Sequence, residues 1–487
     1  MRQALVKDWS GRRVAIIGAA RQGIALAGYL ARQGARVVLS DQKQSGELQS
    51  AQQTLAGLPI EWVLGGHPLN LLDGADLLCL SGGAPLSLPI VAEAQHRGIP
   101  LSNDSQVFLE SAPCQVIGIT GSAGKTTTTT LVGRMAQASI QAETPASTGQ
   151  RYTFGSIPLY RKVWVGGNIG SPLIAGLEEV QAGDLAVMEL SSFQLELMTV
   201  SPQMAAVLNL TPNHLDRHGS MAAYTAAKAR ILEFQSSEEV AVLGRDDPGA
   251  WGLGERVQGK LVSFGRGAPP EGQAGVYLGN DGQTIYLRSV TGAVQEDEAV
   301  LMTQEIPLRG EHNLNNVMAA CAIASAAGMR VETLGIAVRD FSGVPHRLEF
   351  VRNWGGADWY NDSIATAPER AMAAIRSFEE PLILLAGGRD KDLPWEAFAE
   401  MVSQRVDHLV LFGEAAGKIE RAIGPKRNGS RPEIILCKNL YGAVQVAAAT
   451  VSPGDVVLLA PGGTSFDEFC DFEDRGEAYK KWVLELR

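Results

Sequence analysis

One ten-residue stretch limits what this chain can fold into more than any other: Gly118-Ile119-Thr120-Gly121-Ser122-Ala123-Gly124-Lys125-Thr126-Thr127. An apolar run, Gln115–Ile119, precedes it, and a helical pattern opens near Lys125. Strand, glycine-rich turn and helix in that order make a phosphate loop. Glycines let backbone N–H groups converge on phosphate oxygens, and the helix N-terminus adds positive potential. Lys125 would then contact the β- and γ-phosphates, and the Thr126 hydroxyl would ligate Mg²⁺. The run reads T-G-x-x-G-K-T, because Ile119 stands where the longer G-x-x-x-x-G-K-[ST] pattern has its first glycine. The simpler reading is a glycine-rich turn that caps a helix; the strand before and the helix after weigh against it.

A loop of this kind sits on a parallel α/β sheet, and the flanking sequence has that texture. With 487 residues the chain exceeds one ordinary core, and three domains are expected. Residues 1–112 alternate strand and helix patterns: Val14–Gly18, a helix from Arg21 to Gln33, Arg36–Asp41, then Ala75–Leu80 leading into Ser81-Gly82-Gly83. This predicts a Rossmann-like domain. Residues 113–342 carry the phosphate loop, strands at Asp184–Leu190 and Ala205–Leu210, and a β-hairpin pattern (Val276–Leu278, Thr284–Leu287) around Gly279-Asn280-Asp281-Gly282. They predict a P-loop-type domain with a small antiparallel appendage. Residues 343–487, with apolar runs at Leu382–Ala386, His408–Phe412 and Val456–Leu459, predict a second Rossmann-like α/β domain.

Charge and cysteine usage narrow the function classes. A formal net charge of −11 argues against a general nucleic-acid surface but leaves room for local anion sites. Five cysteines without a CxxC pair fit a reducing compartment, with neither disulfides nor a cysteine metal site. No apolar run approaches the roughly 18 residues of a membrane span. The N-terminus has no apolar signal core, so a cytoplasmic protein is expected.

Other chemistry-bearing residues are weaker signals taken singly. Glu189 ends the apolar run Leu185–Met188, at the place where an acid on a parallel strand faces the ligand crevice. By itself it reads more simply as a solvated strand-end charge. His214 follows the next strand, in Asn213–His218; it is a possible metal ligand, though a lone loop histidine is usually only polar. Lys228 shares helical spacing with Tyr224, Ile231 and Leu232, on or beside the inward face. An unpaired ammonium is expensive there, and a lysine snorkelling from the edge of the face is the simpler reading. Gly18-Ala19-Ala20-Arg21-Gln22-Gly23, with Asp41 downstream, resembles a dinucleotide fingerprint in which Ala20 replaces the glycine that admits a pyrophosphate. It supports a Rossmann-like sheet better than NAD binding.

Taken in order, these signals resemble the Mur ligase family over essentially the whole chain. The order runs T-G-S-A-G-K-T, Gly166-Gly167-Asn168-Ile169-Gly170, E-L-S-S-F-Q-L-E (Glu189–Glu196), N-H-L-D-R-H (Asn213–His218) and Ala226-Ala227-Lys228. G-E-H-N-L-N-N (Gly310–Asn316), P-H-R-L-E (Pro345–Glu349) and N-D-S (Asn361–Ser363) follow. E-L-S-S-F-Q-L-E and the Pro461–Gly476 stretch are most similar to the glutamate-adding branch. The resemblance implies an ATP-dependent ligase that joins glutamate to UDP-N-acetylmuramoyl-L-alanine through an acyl phosphate, in peptidoglycan precursor synthesis. It implies two Mg²⁺ ions and no partner beyond small molecules, with the chain acting as a monomer.

By motif match, Gly121, Ser122, Ala123, Gly124, Lys125, Thr126 and Thr127 fall at the ATP phosphates, and Thr126, Glu189, His214 and a carbamylated Lys228 at the metals. Asn316, Arg347 and Asp362 match residues that hold the nucleotide, and Lys391, Ser465 and Phe472 the glutamate pocket. Gly18, Asp41, Ser81 and Gly83 fall at the uridine diphosphate, and Asn168 near substrate or metal. The chain departs from that branch at Ile364, where a lysine is usual, which leaves the hand of the glutamate open; Ala123 replaces a frequent asparagine, and the 143–163 stretch is longer than usual. The alternatives are a ligase of the same architecture with another acceptor, an NAD-dependent oxidoreductase, or a non-catalytic nucleotide-binding regulator.

Overall fold

The computed structural model describes residues 8–142, 160–213, 215–292, 294–390, 393–424 and 432–487, without the side chains of Leu215 and Asp216. Among these, three β-sheets carry the architecture. The chain divides into two compact units, Met1–Pro307 with Glu311–Asp340 and Leu308–Gly310 with Phe341–Arg487. The first unit contains two of the sheets.

The N-terminal sheet has five parallel strands: β1 (Arg13–Ile17), β2 (Arg36–Asp41), β3 (Ile60–Leu64), β4 (Leu77–Leu80) and β5 (Leu101–Ser102), in the order β3-β2-β1-β4-β5. The central strands carry buried apolar runs, Val14–Ile17, Val37–Leu39 and Leu78–Leu80, because both sheet faces are covered. The helix Arg21–Arg32 buries Gly23 and every residue from Leu26 to Ala31, so its second half is covered on more than one face. Strand order reverses between β1 and β4, so Gly18 and Ser81 leave the sheet side by side. A Cβ on Gly18 would stand 3.0 Å from that of Ser81. This is the crevice where open α/β sheets take ligands.

The second sheet has nine strands: β6 (Gln115–Thr120), β7 (Val163–Gly167), β8 (Leu185–Glu189), β9 (Met204–Val207), β10 (Val240–Gly244), β11 (Lys260–Gly265), β12 (Ala274–Leu278), β13 (Thr284–Thr291) and β14 (Val294–Met302). Their order is β14-β13-β12-β11-β10-β9-β6-β8-β7. The hairpin expected near residue 280 is present, and Asp281 fixes its turn by accepting the Gln283 and Thr284 N–H groups (2.9 and 3.2 Å). The antiparallel strands are carried on the edge of the domain's own sheet. β12 pairs in parallel with β11, so the antiparallel strands β13 and β14 continue the main sheet.

The C-terminal sheet has six strands: β15 (Glu349–Trp354), β16 (Ala357–Asn361), β17 (Leu382–Gly387), β18 (His408–Phe412), β19 (Glu433–Leu436) and β20 (Val456–Gly462). The order is β15-β16-β20-β17-β18-β19, parallel except for the β15 edge. All five cysteines are free thiols, and no helix among the described residues is long and apolar enough to cross a membrane.

Leu458 lies at the centre of the third sheet, fully buried in one core with Leu384 and Leu409. Leu458→Ala is expected to lower stability by about 2–5 kcal/mol, through lost burial plus a residual cavity. Urea unfolding followed by tryptophan fluorescence should show a lower midpoint with an unchanged slope for this unit.

Candidate active site

β6 lies between β8 and β9, with Ile119 opposite Glu189, so the glycine-rich loop and the acid leave neighbouring strand ends together. Glu189 is only 2% exposed, which rules out the solvated strand-end charge. A buried carboxylate needs partners. Its Oε2 accepts from Thr126 Oγ1 and its Oε1 from Asn168 Nδ2, both at 2.9 Å. The Asn168 N–H also donates to the Glu189 carbonyl (2.9 Å), which fixes the residue beyond β7 against the end of β8.

The loop itself is held from several sides. Asn209, beyond β9, accepts the Ala123 N–H (2.8 Å) and donates to its carbonyl (3.1 Å). Ser122 Oγ donates to the Thr211 carbonyl (2.9 Å), accepts the Thr211 N–H (3.0 Å) and lies 2.9 Å from the Tyr224 hydroxyl. Gly124 has φ +81°, and a Cβ there would stand 2.1 Å from Asn316 Oδ1. Only glycine fits that conformation against that neighbour. Lys125 Nζ donates back to the Gly121 carbonyl (2.9 Å), and Thr127 is buried at the start of the helix Lys125–Ala142.

Lys228, on the helix Met221–Glu233, does not snorkel. It is 1% exposed, and its Nζ donates to Thr120 Oγ1 (3.1 Å) and the Gly121 carbonyl (3.0 Å). Burial, with the nearby Lys125 charge, pulls its pKa down to about 6, against an opposing pull from Glu189. Burial thus favours the neutral amine over the ammonium. His214 lies outside the described residues. Among the described residues no three His, Cys, Asp or Glu side chains converge. A single carboxylate beside a threonine hydroxyl and a phosphate loop still suits Mg²⁺, which keeps waters and takes phosphate oxygens.

The N-terminal candidates gather at the β1/β4 crevice. Gly18 (φ +98°) donates to the Ser40 carbonyl (2.7 Å), and Asp41 Oδ2 accepts the Ala19 N–H (2.7 Å). Ser81 is buried against the Gly18 turn, while Gly83 is exposed two residues on. Within the same unit, a cleft runs from Ser81-Gly82 to Phe193, Gln194 and Arg217. Gln194 joins its walls: its carbonyl accepts Asn103 Nδ2 and its Nε2 donates to Ser105 Oγ, both at 2.8 Å.

In the C-terminal unit, candidate residues again sit at strand ends. Asp362 follows β16 and is buried; desolvation lifts its pKa to about 6, although the Leu348 N–H, Arg347 and Arg370 favour the anion. His346 and Leu348 flank Arg347 with positive φ (62° and 43°). Non-glycine residues rarely adopt this conformation, and it marks a strained turn. Ser465 is 2% exposed beyond β20, and Phe472 opens the last helix, where its carbonyl accepts Ser363 Oγ (2.8 Å). Arg475, wholly buried, donates to Ser363 Oγ and to the carbonyls of Ser363 and Gly463 (3.0, 2.9 and 3.2 Å). Ile364 is half-buried beside Asp362 and supplies no charge. Lys391 and residues 143–159 lie outside the described residues.

The structure thus brings together Lys125, Thr126, Asn168, Glu189, Lys228 and Asn316, and separately Gly18, Asp41 and Ser81. Sequence reasoning missed Asn209, Gln194, Arg217 and Arg475. The signal for the first was an amide near the end of the apolar run Ala205–Leu210; for Arg475, a cation three residues into an otherwise amphipathic helix.

This arrangement accompanies similarity along the chain. Residues 12–103 match the family model for the Mur ligase MurD-like N-terminal domain, 119–324 that for the Mur ligase middle domain, and 346–463 that for the Mur ligase glutamate ligase domain. The UDP-N-acetylmuramoylalanine–D-glutamate ligase of Symbiobacterium thermophilum is 37% identical over 474 residues, 97% of this chain and 98% of that one. The enzyme of the same name from Pelotomaculum thermopropionicum is 37% identical over 99% of this chain and 100% of its own. The crystal structure of UDP-N-acetylmuramate–alanine ligase from Thermotoga maritima shares the fold, with a TM-score of 0.54 and 18% identity over 97% of this chain and 99% of that one. The chain belongs to the Mur ligase family.

Because Lys228 has a depressed pKa in the folded state, its burial penalty is full below pH 6 and fades as pH rises toward 10.5, where the unfolded lysine also loses its proton. In CO₂-free buffer, Lys228→Met should therefore be more stable than the parent at pH 6, with the difference shrinking by pH 9. Urea midpoints at the two pH values check this; an advantage that grows with pH would contradict the assignment.

Proposed function

We propose that this chain is a ligase that joins D-glutamate to UDP-N-acetylmuramoyl-L-alanine with ATP, in the cytoplasm and as a monomer, for peptidoglycan precursor synthesis. The observation that carries this reading is the Thr126–Glu189 pair beside Lys125, on a chain whose near-full-length relatives bear that enzyme's name. The substrate carboxylate attacks the γ-phosphorus of ATP, ADP leaves, and an acyl phosphate forms. The glutamate amine then attacks the acyl carbon, loses a proton, and inorganic phosphate leaves. Two anions must meet in the first step, so the task of the protein is charge neutralisation and positioning.

In this scheme Gly121 through Thr127 cradle the phosphates, and Lys125 swings from the Gly121 carbonyl to a phosphate oxygen. Thr126, Glu189, His214 and Lys228 would hold Mg²⁺, which when bound polarises the phosphoryl oxygens. Neutral Lys228 is suited to add CO₂: its nitrogen bonds the carbon and releases a proton, leaving an anionic carbamate in place of an amine. Asn168 orients Glu189, and Asn316 closes the loop side of the nucleotide. Arg347 and Asp362 are the C-terminal unit's candidates for contacts to nucleotide, and Lys391, Ser465 and Phe472 its candidates for contacts to glutamate. Gly18, Asp41, Ser81 and Gly83 receive the UDP group.

Phosphate release with ATP, Mg²⁺ and UDP-N-acetylmuramoyl-L-alanine should depend on D-glutamate and not on L-glutamate. Release with L-glutamate alone would keep the ligase and change its product, and no release with either would overturn the proposal. Lys125→Ala should lower kcat by on the order of 10²–10³, the cost of removing one charge-stabilising donor. Incubation with ¹³C-bicarbonate should give a carbamate carbon resonance that is absent from Lys228→Met.

A further inference from the structure

We infer that Arg217 is a specificity-determining residue that recognises an anionic group of the UDP-linked substrate; this deepens the ligase reading and rests on it. Arg217 lies in the cleft between the Ser81–Leu86 loop of the first sheet and the turn after Glu189, and it is the one cation among the described residues lining it. Glu196, the acid among them, is exposed to solvent.

The guanidinium is held on two sides. One Nη donates to the Ala84 carbonyl (2.9 Å), and the carbon of the fork lies 4.1 Å over the Phe193 ring. Phe193 in turn is stacked on His218, with centroids 5.2 Å apart and planes 3° from parallel, and His218 Nε2 is 2.9 Å from Ser192 Oγ. A guanidinium stacked and tethered in this way loses little further freedom on forming a bond. It has five donors, of which the Ala84 carbonyl uses one. The remaining fork matches the paired oxygens of a phosphate or a carboxylate. The proposed substrate offers both, a pyrophosphate and the terminal carboxylate of its alanine. On a chain of net charge −11, an anion entering this cleft needs such a local cation. His218 also meets the Tyr224 ring edge-on at 5.3 Å, and Tyr224 reaches Ser122. The same stack that aims Arg217 therefore ends on the phosphate loop.

Calorimetric titration of UDP-N-acetylmuramoyl-L-alanine, without ATP, tests this on the parent, Arg217→Met, Arg217→Lys and Phe193→Leu. Arg217→Met should raise Kd by about 10- to 100-fold, the worth of a charge-assisted bond. Arg217→Lys, with charge but no fork, should fall between, and Phe193→Leu should weaken binding less than Arg217→Met. In turnover, KM for this substrate should rise while KM for ATP stays within about twofold. UDP-N-acetylglucosamine, which keeps the pyrophosphate and lacks the carboxylate, separates the two anions. Equal weakening of its binding in Arg217→Met assigns the pyrophosphate, and unchanged binding assigns the carboxylate. An unchanged Kd for the muramoyl substrate in Arg217→Met overturns the inference, as does a uniform loss of kcat with every KM preserved. Absence of turnover by the parent would refute the ligase reading alone, because the Kd comparison needs no catalysis.

Discussion

A carboxylate buried at the end of a strand is a constraint that everything around it must meet. Glu189 is almost sealed from water, and a carboxyl group buried there needs hydrogen-bond partners on both oxygens. Thr126 and Asn168 supply them from opposite neighbours of β8, one from the glycine-rich loop after β6 and the other from the end of β7. Placing the acid therefore fixes the register of three strands and the start of a helix together. The hydroxyl that now donates to Glu189 belongs to the residue proposed to share a cation with it. The metal would thus take over an existing polar contact, and no new pocket has to form.

The same design recurs in each sheet. Candidate residues follow the carboxyl ends of neighbouring parallel strands: Gly18 and Ser81 in the first, Lys125 and Glu189 in the second, Asp362 and Ser465 in the third. The apolar strands beneath are rigid because both faces are packed, so a short loop can hold a charged group without drifting. Lys228 shows what this rigidity permits. Its amine is kept beside backbone and hydroxyl oxygens in a place where the charged form is penalised, which favours chemistry that needs a free amine.

Much of this was legible in the sequence. The phosphate loop, the parallel texture and the helix beginning at Arg21 follow from glycine placement and apolar periodicity, which are local. The burial of Lys228 and Glu189 was not, because each looks like an edge residue until the packing of its neighbours is known. The edge that carries the antiparallel strands after Gly265 was hidden for the same reason: a hairpin announces its own turn but not the strand it joins. Gln194 and Arg217 belong to two short helical turns, Ser192–Leu195 and Leu215–His218, whose role comes from meeting loops of the first sheet, and no period in the sequence encodes that contact.

Gly124 and Asn316 carry a consequence for how the protein is made. The loop's tightest glycine is shaped against a side chain from the helix Glu311–Ala326, which packs on the helix that follows the loop. That helix lies far downstream and after the whole nine-stranded sheet. On the ribosome, the phosphate loop is synthesised well before the residue that flanks it, so the loop of a nascent chain lacks this neighbour until Asn316 has emerged. The surroundings of the loop are complete only when a segment remote in sequence docks beside it.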